Sequence, residues 1–307
     1  MRFADTLSGR KNFPGKRGSN GKRKEPVMTS PYGKKALIVF LILVTALSVI
    51  AEAAAILSDQ SLFIAVLMWI PAISAFIAAG ISLKEGKETV SFAKKRTMLG
   101  IRLCPIRYIL LGILIPFVYL LIPYLIYWKI CPECFAYTGV SFEVILKDLT
   151  LYSIVSVLIS LLTAVGEEIG WRGFLFPALK EQAGLHKAIA FSTLYWCLWH
   201  FPLLIFGGYM EGTSLLYQLP AFVLCIFPVG TITSLLREKS GSTWPAAFLH
   251  AAHNAFDQAV FGVITRGDNR MYFVSETGCL TIACTWLFAA VLYYLWIRKE
   301  RKPQPAE

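Results

Sequence analysis

The chain has 307 residues, of which 56% are hydrophobic and only 16% are charged, whereas an ordinary soluble domain carries about 25% charged residues. This composition excludes a disordered chain, which lacks apolar residues to bury, and it argues against a soluble globular protein. The net charge of +11 would suggest nucleic acid in a soluble protein, but here the charge lies beside apolar blocks. We therefore predict an all-α polytopic membrane protein.

Eight apolar blocks are each about long enough to cross a bilayer, which requires about 20 helical residues at a rise of about 1.5 Å each. In chain order they are 36–57, 62–83, 108–128, 149–166, 187–206, 214–236, 243–263 and 278–297. With a cytoplasmic N-terminus and alternating blocks, 26 of the 30 Lys and Arg residues lie on the cytoplasmic side, as the positive-inside rule requires. We predict about eight transmembrane helices, with both termini cytoplasmic.

The chain divides into four predicted parts. They are a basic cytoplasmic tail at 1–35, N-terminal transmembrane helices at 36–144, a core at 145–265 that carries the polar motifs, and the last transmembrane helix with a basic cytoplasmic tail at 266–307. We expect the first tail, with ten Lys and Arg residues, to be disordered and to bind anionic lipid, not nucleic acid. A cleaved signal peptide is the alternative for the first block, but this block and the basic region before it are too long.

The first polar motif is Glu167-Glu168-x-x-x-Arg172, directly after an apolar block. On a helix, Glu168 and Arg172 share a face because they are four residues apart, whereas Glu167 points about 100° away. Arg172 can therefore hold Glu168 ionised and oriented, while Glu167 is left to face a cavity. A desolvated carboxylate of this kind suits general-base work on water. An interfacial cluster where a cytoplasmic loop starts is the alternative.

The second motif is Trp196-x-x-x-His200, which lies deep within an apolar block. The aromatic side chain precedes the histidine by one turn on the same helical face. A structural histidine with its hydrogen bonds satisfied, surrounded by aromatic packing, is the alternative to a functional one.

The third motif is His250-x-x-x-Asn254, and the pair His253 and Asp257 follows the same spacing on the adjoining face. Four polar groups in one apolar block are hard to explain by packing. An interhelical hydrogen-bond network is the alternative, and His253 with Asp257 can be such a network or can support the site.

Taken together, the three motifs predict a buried polar site, because ionisable groups in the hydrocarbon are costly and usually functional. Convergence of three helices on one pocket would satisfy all of these groups at once. Two other features receive no function: Glu52, which we expect at the membrane interface, and Cys131-x-x-Cys134, which can form a loop disulfide but is weak evidence for a metal site.

The order and the intervals of these motifs resemble the CPBP family. Its members are the CAAX proteases and the bacteriocin-processing (Abi) intramembrane endopeptidases, relatives of the Rce1-type CAAX prenyl protease. The resemblance covers about residues 145–265, including Gly241-Ser-x-Trp-Pro before the third motif. One departure is Trp196, where the family usually has Phe.

The resemblance implies a glutamate-dependent intramembrane endopeptidase with a CPBP-like catalytic core at 145–265. By analogy, Glu167 and His200 activate the attacking water, and His250 and Asn254 stabilise the oxyanion at the scissile carbonyl. Glu168 and Arg172 order the site. The implied partner is a peptide or membrane-protein substrate.

Metal-free catalysis is favoured, so we expect no cofactor. Zinc remains the alternative, with Glu167, His200 and His250 as its ligands. However, the sequence has no HExxH motif, and Asn254 is a poor zinc ligand but a good oxyanion donor.

Two other functions stay open at this point. The first is a non-proteolytic peptide-binding or bacteriocin-immunity membrane protein with the same fold. The second is a proton-coupled transporter, since buried carboxylates and histidines also serve carriers. Carriers often contain internal repeats, and this sequence shows none.

Overall fold

The computed structural model describes residues 32–58, 60–137 and 139–298. The predicted basic tail up to residue 31, with its lipid-binding role, and the C-terminal tail from residue 299 lie outside the described residues. Over the described part the protein is all-α, as predicted, and its one β-bridge joins Phe135 to Thr265.

The described chain forms twelve α-helices, numbered here in chain order. They are α1 Lys34–Ser58, α2 Ser61–Glu85, α3 Phe92–Met98, α4 Ile106–Ile130, α5 Phe142–Glu168, α6 Phe176–Ala183, α7 Leu185–Trp199, α8 Phe201–Phe206, α9 Leu215–Ser240, α10 Trp244–Asn254, α11 Arg270–Phe273 and α12 Cys279–Arg298. Two π-helical segments, Ile169–Leu175 and Ala255–Phe261, directly follow α5 and α10, and a short 3₁₀ turn spans Pro132–Cys134.

Seven helices in the described part are long and apolar enough to cross a membrane. Large apolar side chains cover their outer faces, for example Ile38, Ile50 and Leu57, which are at least half exposed. In water such surfaces would be an aggregation hazard, whereas lipid accommodates them. The protein is therefore a multi-pass membrane protein.

The predicted block 243–263 differs from the other seven blocks. Its α-helix, α10, has only 11 residues, and the chain continues as a π-helix to Phe261. α10 packs against α4, α5 and α9, and most of its residues are buried. This block is therefore the centre of the bundle, which suits a helix that carries several polar side chains.

The segment 167–186 is a second difference, because it separates the predicted blocks 149–166 and 187–206, and alternating spans place a cytoplasmic loop there. Instead, α5, the π-helical segment and α6 form one helical run, Phe142–Ala183, of 42 residues. Charged residues at this point suggested the start of a loop. Inside the protein they neutralise each other, since Arg172 Nη1 lies 2.9 Å from Glu168 Oε1. The two glutamates therefore lie well inside a long helix.

Two glycines allow α5 and its π-helical extension to approach α2 closely. A Cβ atom on Gly166 would lie 2.6 Å from the carbonyl oxygen of Met68, and one on Gly170 would lie 2.3 Å from Cβ of Pro71. This is the small-xxx-small pattern of membrane helices, in which glycines let backbones touch. It fixes the stretch that contains Glu167 and Glu168 against the neighbouring helix.

The two features left without function are both ordered. Cys131 and Cys134 form a disulfide, the loop bond that the sequence allows. Glu52 is only 3% exposed, so it is buried within the protein, and its position at the membrane interface stays a prediction. One of its carboxylate oxygens, Oε1, has no hydrogen-bond partner among the described residues.

Candidate active site

Side chains from α2, α5, α7, α8, α9 and α10, with residues of the adjoining loops, line a partly open cavity of about 360 Å³. All four residues predicted to be catalytic line it: Glu167, His200, His250 and Asn254. Glu167 comes from the end of α5, His200 follows the last residue of α7, and the other two lie on α10. Residues that are up to 87 positions apart in the sequence thus share one buried space.

Glu167 is held by two indole groups. Trp171 Nε1 donates to Glu167 Oε2 at 3.1 Å, and Trp196 Nε1 donates to the same oxygen at 2.8 Å. The side chain is only 1% exposed, and among the described residues no hydrogen-bond donor contacts its other oxygen, Oε1. The carboxylate is therefore fixed by neutral donors through one oxygen while it faces the cavity.

Glu168 has charged or chargeable partners instead. Arg172 Nη1 donates to Glu168 Oε1 at 2.9 Å, and Nδ1 of His250 lies 3.0 Å from the same oxygen. All three side chains are buried. Glu168 thus links Arg172 on its own helical run to His250 on α10, and the supporting role of Glu168 and Arg172 stays a prediction.

The tautomer of His200 follows from its contact with the backbone. Nδ1 lies 2.8 Å from the carbonyl oxygen of Trp196, which can only accept, so Nδ1 carries the proton. In the neutral ring, Nε2 then has a free lone pair. The rings of Trp199 and Phe222 pack at 5.0 and 5.2 Å from the imidazole and fix its plane.

Asn254 ends α10, at the point where the helix changes to a π-helix. It is half-buried and lines the cavity with His250, one turn earlier. π-helical turns frequently occur at functional sites because the extra residue re-aims the side chains around it. Both motifs that end in such a turn, on α5 and on α10, supply residues to the cavity.

A second acidic group, Glu276, lines the same cavity and was not among the predicted site residues. Its Oε1 lies 3.3 Å from Nε2 of His253, and its Oε2 accepts a hydrogen bond from Tyr209 at 2.9 Å. Gln258 Nε2 donates to both Glu276 and Tyr209. Burial alone would raise the pKa of Glu276, but His253 and the Tyr209 hydroxyl outweigh it and lower this pKa.

His253 and Asp257 belong to this interhelical network, as the sequence allowed, although they do not bind each other. His253 Nδ1 meets the Tyr119 hydroxyl at 2.8 Å. Asp257 accepts from Tyr124 at 3.0 Å and from Ser275 at 2.8 Å. The carboxylate beside His253 is thus Glu276. It lies in a loop outside every predicted helix, so no spacing in the sequence marks it.

Zinc is the alternative cofactor, and its ligands would be Glu167, His200 and His250. Among the described residues, only one group of at least three His, Cys, Asp or Glu side chains has its ligand atoms within 4.8 Å of one another. This group consists of Cys131, Glu133 and Cys134. Glu167, His200 and His250 therefore do not reach the spacing that a shared zinc ion needs, with its ligands at about 2 Å. Metal-free catalysis stays a prediction, and the proposed mechanism uses no metal ion.

Known proteins resemble the part of the chain that builds this cavity. Residues 149–256 match the model of a family described as type II CAAX prenyl endopeptidase Rce1-like. A curated relative, "CAAX prenyl protease 2" of Methanococcus maripaludis, is 37% identical over 84 residues. That alignment covers 26% of this chain and 31% of the relative, so the chain spans about a third of the relative's length.

The family match covers all three polar motifs, from the glutamate pair to Asn254, and it lies within the predicted core at 145–265. The family agrees with the one that the motifs indicated. Residues 149–256 are therefore similar to the Rce1-like family of CAAX prenyl endopeptidases.

Proposed function

We propose that this protein is an intramembrane endopeptidase that hydrolyses a peptide bond with water activated by Glu167 and His200. His250 and Asn254 stabilise the oxyanion, while Glu168 and Arg172 order the site. The observation that carries the proposal is the meeting of all four catalytic candidates on one buried cavity. The match of residues 149–256 to a family of endopeptidases supports it.

Water activation uses Glu167 and His200, the two side chains that each have a free hydrogen-bond acceptor atom. Glu167 has an oxygen without a donor, and His200 has its Nε2 lone pair, because Nδ1 is bound to a backbone carbonyl. A water molecule between them gives one proton to this pair, and its oxygen bonds to the carbonyl carbon of the substrate. The same proton then passes to the leaving nitrogen as the carbon–nitrogen bond breaks, so the products are a carboxylic acid and an amine.

Oxyanion stabilisation comes from α10. Nδ1 of His250 is engaged by Glu168, so Nε2 is the ring nitrogen that serves the cavity. It donates when the ring is protonated, a state that the neighbouring Glu168 carboxylate favours. The amide of Asn254 supplies a second donor. Each such donor contributes about 3 kcal/mol to transition-state stabilisation.

The substrate is a peptide or a membrane protein, and the curated relative's name points to a prenylated one. The spanning helices provide a lipid-facing surface from which such a substrate reaches the cavity. The proposed location is the cell membrane, with both termini in the cytoplasm and the basic N-terminal tail on anionic lipid. A non-proteolytic binding protein and a proton-coupled carrier would both lack cleavage.

The test is Glu167→Gln in the purified full chain, assayed on prenylated and unmodified peptides. Loss of the base is expected to lower kcat by about 10²–10⁴-fold. Glu143→Gln is the matched control, because Glu143 lies on the same helix but is exposed, and its activity should equal that of the wild type.

Full activity of Glu167→Gln would remove the proposed base. A wild type that cleaves none of the peptides but still binds them would favour the peptide-binding alternative. Activity that a chelator abolishes and zinc restores would overturn the metal-free mechanism.

A further inference from the structure

The indole of Trp196 contacts three residues of the proposed site, namely Glu167, Arg172 and His250. Its Nε1 donates to Glu167 at 2.8 Å, and the guanidinium carbon of Arg172 lies over its ring at 4.3 Å from the centroid. The His250 ring packs against it edge-on at 5.2 Å. Its own carbonyl oxygen accepts from Nδ1 of His200 at 2.8 Å.

Burial makes each of these contacts count. Trp196 is only 2% exposed, so water does not compete for the indole N–H. Hydrogen bonds to a charged group are worth more than neutral ones, and more still at low dielectric. The Nε and Nη2 atoms of Arg172 have no hydrogen-bond partner among the described residues. The ring of Trp196 therefore supplies a contact for this part of the guanidinium group.

We propose that Trp196 is a positioning residue: its indole N–H fixes the Glu167 carboxylate for water activation while its ring face holds Arg172. This inference rests on the proposed function, and it adds a residue to that function. Phenylalanine at this position would keep the aromatic face over Arg172 but would leave Glu167 with Trp171 as its only donor.

The test is Trp196→Phe in the full chain. We expect kcat/KM to fall about tenfold, the effect of one lost hydrogen bond to a charged group. The acid limb of the kcat/KM pH profile should move to higher pH, because the ionised carboxylate has lost a donor that stabilised it.

Trp128→Phe is the matched control. It makes the same chemical change, but Trp128 Nε1 donates to Thr265, and Trp128 does not line the cavity. Its acid limb should stay where the wild type has it. If Trp196→Phe does not fold, benzothienylalanine at position 196 keeps the ring shape and removes only the N–H.

A second readout does not depend on activity. With ¹⁵N-labelled tryptophan, Glu167→Gln should shift the indole N–H resonances of Trp196 and Trp171 and leave that of Trp128 in place. A Trp196 resonance that does not move, or an acid limb equal to the wild type, overturns this inference even if Glu167→Gln is inactive. Full activity of Glu167→Gln instead overturns the proposed function, and the resonance shift still decides whether the contact exists.

Discussion

The two adjacent glutamates differ in chemistry because they differ in partners. Glu168 binds a guanidinium and an imidazole through one oxygen, so its charge is neutralised locally. Among the described residues, Glu167 accepts only from the indole N–H groups of Trp171 and Trp196, which are neutral donors. The offset of about 100° between neighbouring helical residues predicts this division of roles, but it does not predict the two indole donors.

The pairing of Arg172 with Glu168 gives a prediction about stability. Arg172→Met should lower the free energy of unfolding by about 3–5 kcal/mol, because it leaves a buried carboxylate without its main partner. The double variant Glu168→Met with Arg172→Met should recover much of this loss, since no buried charge remains at the pair.

Thermal unfolding in detergent measures both effects. Lys94→Met is the control: it breaks the ion pair of Lys94 with Glu88, two side chains that are both more than 40% exposed, and should change stability by at most about 1 kcal/mol. A double variant that is less stable than Arg172→Met would contradict the argument from unpaired charge.

At the scale of the elements, the site depends on how closely α5 approaches α2. Gly166 and Gly170 lie on either side of the glutamate pair, and both meet backbone atoms of α2. The π-helical segment begins within this contact, at Ile169. Helix packing and the irregular turn thus set the direction of Glu167 together.

Gly170→Ala should therefore reduce both stability and activity. The added Cβ would lie 2.3 Å from Cβ of Pro71 and 2.8 Å from its backbone carbon, so α5 must move away from α2 and carry Glu167 with it. Gly86→Ala is the control, because a Cβ there meets nothing closer than 3.6 Å and its φ of −75° suits alanine. The unfolding temperature and kcat/KM of both variants decide the question, and equal values would contradict the proposed role of the contact.

At the scale of the whole molecule, the sequence predicts the helices better than it predicts their partners. Hydropathy locates the spans, because each long apolar helix must face lipid or core on every side. It misplaces the end of α5, since ion pairing with Arg172 hides the polarity of Glu168 inside the protein. Glu276 could not be predicted as a site residue, because a glutamate in a loop carries no periodic signal and only tertiary packing brings it to the cavity.

Glu276 ties the loop before α12 to the cavity, which predicts an acid-dependent stability. Because His253 and Tyr209 hold the pKa of Glu276 below its usual value of 4.5, its ionised form stabilises the fold above that pH. This contribution is lost as the pH falls through the lowered value. Glu276→Gln should therefore unfold at a lower temperature than the wild type near neutral pH.

The gap between Glu276→Gln and the wild type should close as the pH falls below 4.5, because protonation removes the same charge from the wild type. Unfolding temperatures across this pH range measure it. Glu211→Gln, at an exposed glutamate of a neighbouring loop, should follow the wild-type curve throughout. A constant gap at every pH would mean that Glu276 stabilises the loop by its shape and hydrogen bonds alone, and not by its charge.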